Sequence, residues 1–409
     1  MPLPAVGRLP ATNRSVVKEV LTRVGSFVCR TTNGSQSITG LGFTPKVVMI
    51  WGNTLTADGS GANFSYVFAT GTTISDARLL QCLSMNAANP SSCRRAQIAS
   101  MYLNYNTVTG SVTSANTFTL DTDGFTLNYN NNNGTAYIIN YLAIGGGGFS
   151  SFYQSTFTRN AAIGQQAITG PSFRPNLVMF HNSGTGANVN GAANIDLNFG
   201  FATVVNNRGA CSNSIFNAVT PSNTKQFQSK NRCLIQPDTG GLLNDADFVT
   251  MDVSGFTIDW KTVTGGGAHV YAFSAYQSNR FLVGSFNQPI VSGSQSITGV
   301  GFIPKAVILL SNNAVGASFV SGGSRISMGC ADYDLKQFSL WAGDTSGVAT
   351  TISSQYLDRT HSISFLSEAG ANPTLNARAS ITSMDWSGFT LNWDVVDSTA
   401  REILFLAIG

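Results

Sequence analysis

Apolar residues along this chain fall mostly into short runs of period two, bounded by glycine, asparagine or proline. Phe125-Thr126-Leu127-Asn128-Tyr129 alternates apolar and polar positions, the pattern of a strand with one buried face. Phe256-Thr257-Ile258-Asp259-Trp260 and Phe389-Thr390-Leu391-Asn392-Trp393 repeat that wording. Each follows a D-x-x-G turn: Asp121 to Gly124, Asp252 to Gly255, Asp385 to Gly388. Aspartate first and glycine fourth suits a type I turn. A second kind of run is apolar on both parities. Lys46-Val47-Val48-Met49-Ile50-Trp51 predicts a strand buried on both faces, as in the middle of a sandwich. Pro45 cannot donate to a ladder and marks its start.

These runs recur in a fixed order. Q-x-I-T-G at Gln36, Gln166 and Gln295 leads each time to a phenylalanine, a proline and the long apolar run. Phe43, Phe173 and Phe302 stand 130 and 129 residues apart. The chain therefore reads as one module written three times. A polar, glycine-rich loop follows in each: Asn53 to Gly61, Asn182 to Ala193, Asn312 to Gly323. After it, Phe64 to Thr70 aligns with Leu197 to Thr203 and, more weakly, with Ile326 to Ala331. Many short strands and glycine turns predict an all-β protein of three tandem antiparallel β-sandwich modules, jelly-roll-like. The expected domains are 24–148, 149–277 and 278–409, behind an N-terminal arm of residues 1–23. The links at Gly145 to Ser150 and Gln277 to Arg280 are short, so the modules are expected to pack as a compact pseudo-threefold unit.

The arm breaks the pattern. Pro2, Pro4 and Pro10 keep its first ten residues extended. Val16, Val17, Val20, Leu21 and Val24 then form an apolar stripe at helical spacing, with Asn13 or Ser15 as N-cap. An extended segment carrying Leu3, Val6 and Leu9, followed by a helix carrying Val16, Val17, Val20 and Leu21, has the form of an attachment device. The competing reading packs it on the first module.

Composition narrows the function. Charged residues make up 11% of the 409 residues and the net charge is +3 with no basic run, which speaks against nucleic acid. Arg94-Arg95 is read as a solvated loop pair. No N-terminal export signal and no membrane-length apolar stretch is visible, so synthesis in the cytosol is expected. Cys29, Cys82, Cys93, Cys211, Cys233 and Cys330 form no C-x-x-C and are read as reduced, small core residues. Cys82 with Cys93 and Cys211 with Cys233 occupy similar places in their modules, which leaves a disulfide open for each pair.

Candidate chemistry is sparse. His181, His269 and His361 stand at unrelated module positions, which gives no zinc spacing. Asp121-Thr122-Asp123-Gly124 has the look of a calcium loop, yet the second acid becomes Ser254 and Ser387 in the other copies. The glycine runs from Gly145 and Gly265 lack the following helix of a phosphate site. The recurring residues are turn glycines, prolines and core aromatics, so the chain reads as a non-enzyme without a cofactor. Loops rich in Asn, Ser, Thr and Tyr suit sugar hydroxyls, with Tyr102, Tyr105 and Trp341 as candidate glycan contacts. Tyr129, Trp260 and Trp393 share one module position and read as core.

Through G-S-F, Q-S-I-T-G-x-G-F-x-P-K, D-x-x-G-F-T-L-N-W and the closing Y-L-A-I-G-G, residues 24–409 resemble a repeat of tailed-bacteriophage virion proteins. The strand pattern is also loosely similar to H-type lectin sandwiches. The phage resemblance implies a structural protein of the virion, made in the host cytoplasm: a head decoration, head fibre or tail-associated protein. Its partners would be other capsid or tail proteins, with no nucleic acid and no membrane. The alternatives are a receptor-binding protein for a host-surface glycan and, further off, a polysaccharide-degrading enzyme.

Overall fold

Every ladder among the described residues is antiparallel, and the ladders assemble into three large and three small sheets. The structure, a computed structural model, describes residues 18–409 apart from 74–75, 111, 185, 187–188, 205–206, 239–240, 266–268, 279, 317, 368–369 and 371. Within them the chain is an all-β sandwich protein with no helix. The first large sheet runs Leu21–Val28, Ile138–Gly145, Pro45–Gly52, Phe64–Gly71, Arg78–Ser84, Cys93–Ile98. The facing small sheet runs Gly34–Thr39, Gly124–Asn131, Val112–Asp121, Tyr102–Tyr105. The other two sheet pairs have the same strand order.

Each large sheet has a seventh strand taken from elsewhere in the chain. Val189–Ala192 pairs with Cys93–Ile98, Ser318–Ser321 with Thr224–Ser229, and Gly59–Ala62 with Ser353–Asp358. The three polar loops expected from the sequence thus contain strands, each lent to the preceding sheet of the cycle. The loans run in a cycle and close a ring.

The double burial of Pro45–Gly52 follows from this ring. Val48 and Ile50 face the small sheet and pack with Phe125, Leu127 and Tyr129. Val47, Met49 and Trp51 face the other way, into a core shared with Leu177, Met179, Ile308 and Leu310. Aromatic rings meet there across repeats: Trp51 and Phe338 at 5.4 Å, Phe68 and Phe199 at 5.1 Å between centroids. The second buried face therefore meets the other two large sheets.

Register corrects the alignment of the following strand. Trp51, His181 and Leu310 pair with Phe68, Phe199 and Met328. Phe64 thus corresponds to Ile195, and matching it to Leu197 slips by two residues. A slip of two keeps every side chain on its proper face, which is why the pattern alone did not reveal it.

The repeated motifs have local causes. A Cβ on Gly124, Gly255 or Gly388 would lie 1.8, 2.1 or 2.0 Å from the carbonyl oxygen of Ile38, Ile168 or Ile297. The glycine of D-x-x-G is thus required by the neighbouring strand's close approach. The glutamine of Q-x-I-T donates to the carbonyl of Val28, Thr158 or Asn287 at 2.7–2.8 Å and ties together the strands on either side of the loop. Gln166 and Gln295 also accept the indole N–H of Trp260 and Trp393. Phe125, Phe256 and Phe389 are fully buried, whereas Phe43 and Phe173 are only half-buried beside their cores.

The arm does not form the expected helix where it is described. Val20 is buried in the shared core and Leu21 opens a strand paired to Gly145. Alternate residues Val20 and Val24 point into that core, so the β-branched stripe is satisfied by period two. Leu3, Val6, Leu9, Val16 and Val17 lie outside the described residues.

Phe125→Ala, Phe256→Ala and Phe389→Ala should each cost about 3–5 kcal/mol. Because one core joins all three repeats, chemical denaturation followed by tryptophan fluorescence and circular dichroism should give one coincident transition. Three separable transitions would contradict the shared core.

Candidate functional site: the seams between repeats

The edge strands that receive the lent strands carry buried polar side chains at all three seams. Gln97 and Gln228, at matching register, accept the amide N–H of Ser183 and Asn312 at 2.8 and 3.0 Å. Gln355, two residues displaced, accepts from Thr54 at 3.1 Å and donates to Ala62 at 2.7 Å. All three glutamines are buried. A buried amide group without a partner is costly, so these contacts favour one arrangement of the seam.

The hairpin loops at one end of the ring exchange main-chain bonds in the same cycle. Ala218 N–H donates to Ser91 O (2.7 Å) and Ser91 N–H to Val219 O (3.0 Å). Gly347 and Ser222 donate to Ser222 O and Val348 O at 2.6 and 2.8 Å. Ala87 and Thr351 donate to Thr351 O and Ala88 O at 2.9 and 3.0 Å. Ala87, Ala218 and Gly347 all carry φ near +60° to +80°, so the turn is the same in each copy.

Titratable groups concentrate at the seam between the third and first repeats. Asp358 accepts from His361 Nδ1 at 2.8 Å and from both the amide and the hydroxyl of Thr360, at 2.8 and 2.6 Å. His361 Nε2 lies 3.3 Å from Asp394, which Arg378 also holds at 2.8 Å. Arg359 pairs across the seam with Asp58 at 2.9 Å. Burial pushes the Asp358 carboxyl up, but the His361 and Thr360 hydrogen bonds outweigh it and hold the group well below the usual carboxylate range. A 330 Å³ cavity is lined by Arg359 and Thr360 with Ser26 and Asn140, and not by the His361 ring. With each carboxylate already matched to a cation or donor, the cluster acts as a clamp.

His181 is different in kind. Burial and the nearby Arg78 lower its pKa to about 3, so the ring is neutral. It bonds Ser274 through Nε2 at 2.8 Å and meets Phe68 of the first repeat edge-on.

The sugar platforms expected from sequence are not available. Tyr102, Tyr105 and Trp341 are buried, Tyr102 against Tyr129 and Trp341 in the third large sheet. Arg94 stacks on the Tyr105 ring at 4.1 Å. Arg95, on the same strand, is buried against Asp196 at 2.8 Å across the seam, so the arginine pair is not a solvated loop. All six cysteines are free and buried, and burial raises the Cys82 and Cys93 thiols to about 12. Cys93 corresponds in register to Thr224, not to Cys233, so the two pairs do not match. Among the described residues no group of three or more His, Cys, Asp or Glu could hold a metal ion. Asp123, the second acid of the D-x-D-G, accepts the amides of Gly40 and Gly42 at 3.0 and 2.6 Å.

The seam glutamines Gln97, Gln228 and Gln355 were not among the expected site residues. Their only signal is recurrence of glutamine at near-repeat spacing within the divergent middle third of each module. No known protein-family model matches the chain, and no curated protein matches it.

Because the folded pKa of Asp358 is depressed, its contribution to stability is complete above the unfolded value of about 3.9 and is lost as pH falls below it. Asp358→Asn should therefore destabilise the protein by roughly 3 kcal/mol at neutral pH, the low end for breaking a buried pair. The gap to wild type should narrow as pH drops through the carboxylate range. Denaturation midpoints measured at several pH values check this, and a pH-independent gap would contradict it.

Proposed function

We propose that this chain is a non-enzymatic structural protein of a phage virion, serving as a head decoration, head fibre or tail-associated protein. The observation that carries the reading is the closed cycle of lent strands. One covalent chain makes the contacts that three subunits of a cyclic trimer would make, and its heterologous seams close without open ends. Such a body suits a role in which shape and persistence matter. The motifs that resemble virion repeats serve the fold here: the glycine beside Ile38, the glutamine brace and the buried Phe125 series.

Attachment falls to the chain before the ring. Glu19 O accepts the Gly148 N–H at 2.8 Å and Val20 is in the core, so residues from 19 onward belong to the body. Leu3, Val6, Leu9, Val16 and Val17 are the remaining apolar contacts for a capsid or tail protein.

A glycan-binding role has one observation in its favour. The outer face of the first small sheet carries a ladder of hydroxyl and amide groups: Ser37 with Thr126 at 2.7 Å, Ser35 with Asn128 at 3.3 Å, Ser114 with Asn130 at 3.2 Å.

Deleting residues 1–17 should leave the unfolding transition unchanged while abolishing incorporation into particles, read by quantifying the protein in purified virions. A truncated protein that incorporates at the wild-type level would overturn the attachment role. A cryo-EM map of the particle without density for the ring would overturn the structural role itself.

A further inference from the structure

The base of each seam repeats one layout, and its three copies have diverged in charge. At the seam between the first and second repeats, Lys46 Nζ donates to Phe149 O at 2.6 Å. At the seam between the third and first, a 240 Å³ cavity is lined by Arg23, Phe43, Lys305, Tyr333 and Asp334. Its cations are engaged internally: Arg23 pairs with Asp334, and Lys305 lies 4.9 Å above the Tyr333 ring.

The seam between the second and third repeats has a larger cavity of 440 Å³. Leu282 stands where the other cavity has Arg23, and Asn176 where it has Lys305. Two new cations enter, Arg174 and Arg280, both exposed. No carboxylate is among the described lining residues. The Arg280 guanidinium sits 5.9 Å from the centre of the Phe302 ring, which with Met251 forms a buried apolar floor. Thr203, Asn176 and Asn207 line it as well; the Asn176 Oδ1 accepts the Ser278 N–H at 3.2 Å and the Thr203 hydroxyl donates to Asn207 O at 3.3 Å, so the Asn176 amide N–H and the Thr203 oxygen are the groups left for a ligand's hydroxyls.

We infer that this cavity binds a carboxylate-bearing sugar of hexuronate size. Guanidinium groups grip a carboxylate through paired N–H donors; among the described residues neither arginine has a carboxylate partner, Arg280 donating only to Gly301 O at 3.4 Å, which leaves the counter-ion role to a ligand. The apolar floor suits the C–H face of a pyranose, and the amides and hydroxyl suit its ring hydroxyls. A volume of this order lies in the range of small-ligand pockets. The inference is independent of the particle role and of residues 1–17.

Isothermal titration of the full chain with D-glucuronate tests it, with D-glucose and sulfate as controls. Saturable binding of glucuronate at one site per chain is expected, with glucose and sulfate much weaker. Arg174→Gln or Arg280→Gln should each weaken it about tenfold or more, the loss of a charge-assisted bond. Arg23→Gln, in the other cavity, should leave it unchanged. Circular dichroism and melting temperature establish that each variant is folded. A glucuronate-terminated disaccharide that binds as well as the free acid identifies a glycan-borne ligand, and one that binds more weakly identifies a free sugar acid. No saturable glucuronate binding, equal binding of sulfate or glucose, or folded Arg174→Gln and Arg280→Gln variants with wild-type affinity would overturn the inference.

Discussion

A β-sheet that does not close on itself has edges, and an unpaired edge is a row of amide and carbonyl groups seeking partners. This protein meets that constraint with backbone taken from the next repeat. Cys93–Ile98, Thr224–Ser229 and Ser353–Asp358 would each end a large sheet, and each is covered by a short strand lent across a seam. Because the loans run in one direction around three copies, none of these edges is left over. The shared core, the buried glutamines and the paired hairpin loops all depend on that closure.

The closure also explains how a chain with so few charges buries so much polar surface. Seam residues such as Gln97, Gln228, Asn213 and Asp344 are buried, and they reach backbone or hydroxyl partners across the seam. Asp344, for example, accepts the hydroxyls of Ser84 and Ser353 at 2.6 and 2.7 Å. Hydrophobic burial supplies the driving force at the axis, through Trp51, Phe68, Phe199 and Met328. The polar contacts select one register, since a wrong seam would strand buried amides. Divergence between the copies is then free to act where the seam meets solvent, as in the cavity beside Arg174 and Arg280.

Much of the fold was legible because it is written in side-chain periodicity. Phe125 to Tyr129 and its two copies alternate as expected, and the both-parity run at Val47 to Trp51 is buried on both faces. The lent strands were not legible. Gly59–Ala62 and Val189–Ala192 are held by main-chain bonds, which carry no side-chain code, and their glycines imitate a loop. The stripe from Val16 to Val24 fits helical spacing and period two at once, and pairing with Ile138–Gly145 selects the strand from Leu21 onward. Composition marked Tyr102, Tyr105 and Trp341 as sugar platforms, but an aromatic residue in a strand looks alike whether its face is outside or inside. Arg174 and Arg280 lie far apart in sequence, and only the fold brings them to one cavity.

The ring is tested most directly by native-state hydrogen exchange with mass spectrometry on the intact chain. Closure by lent strands predicts that peptides covering Gly59–Ala62, Val189–Ala192 and Ser318–Ser321 are protected, and that they lose protection together in mild denaturant. Exchange of these segments at the rate of free loops, while the large sheets stay protected, would contradict the exchanged-strand ring.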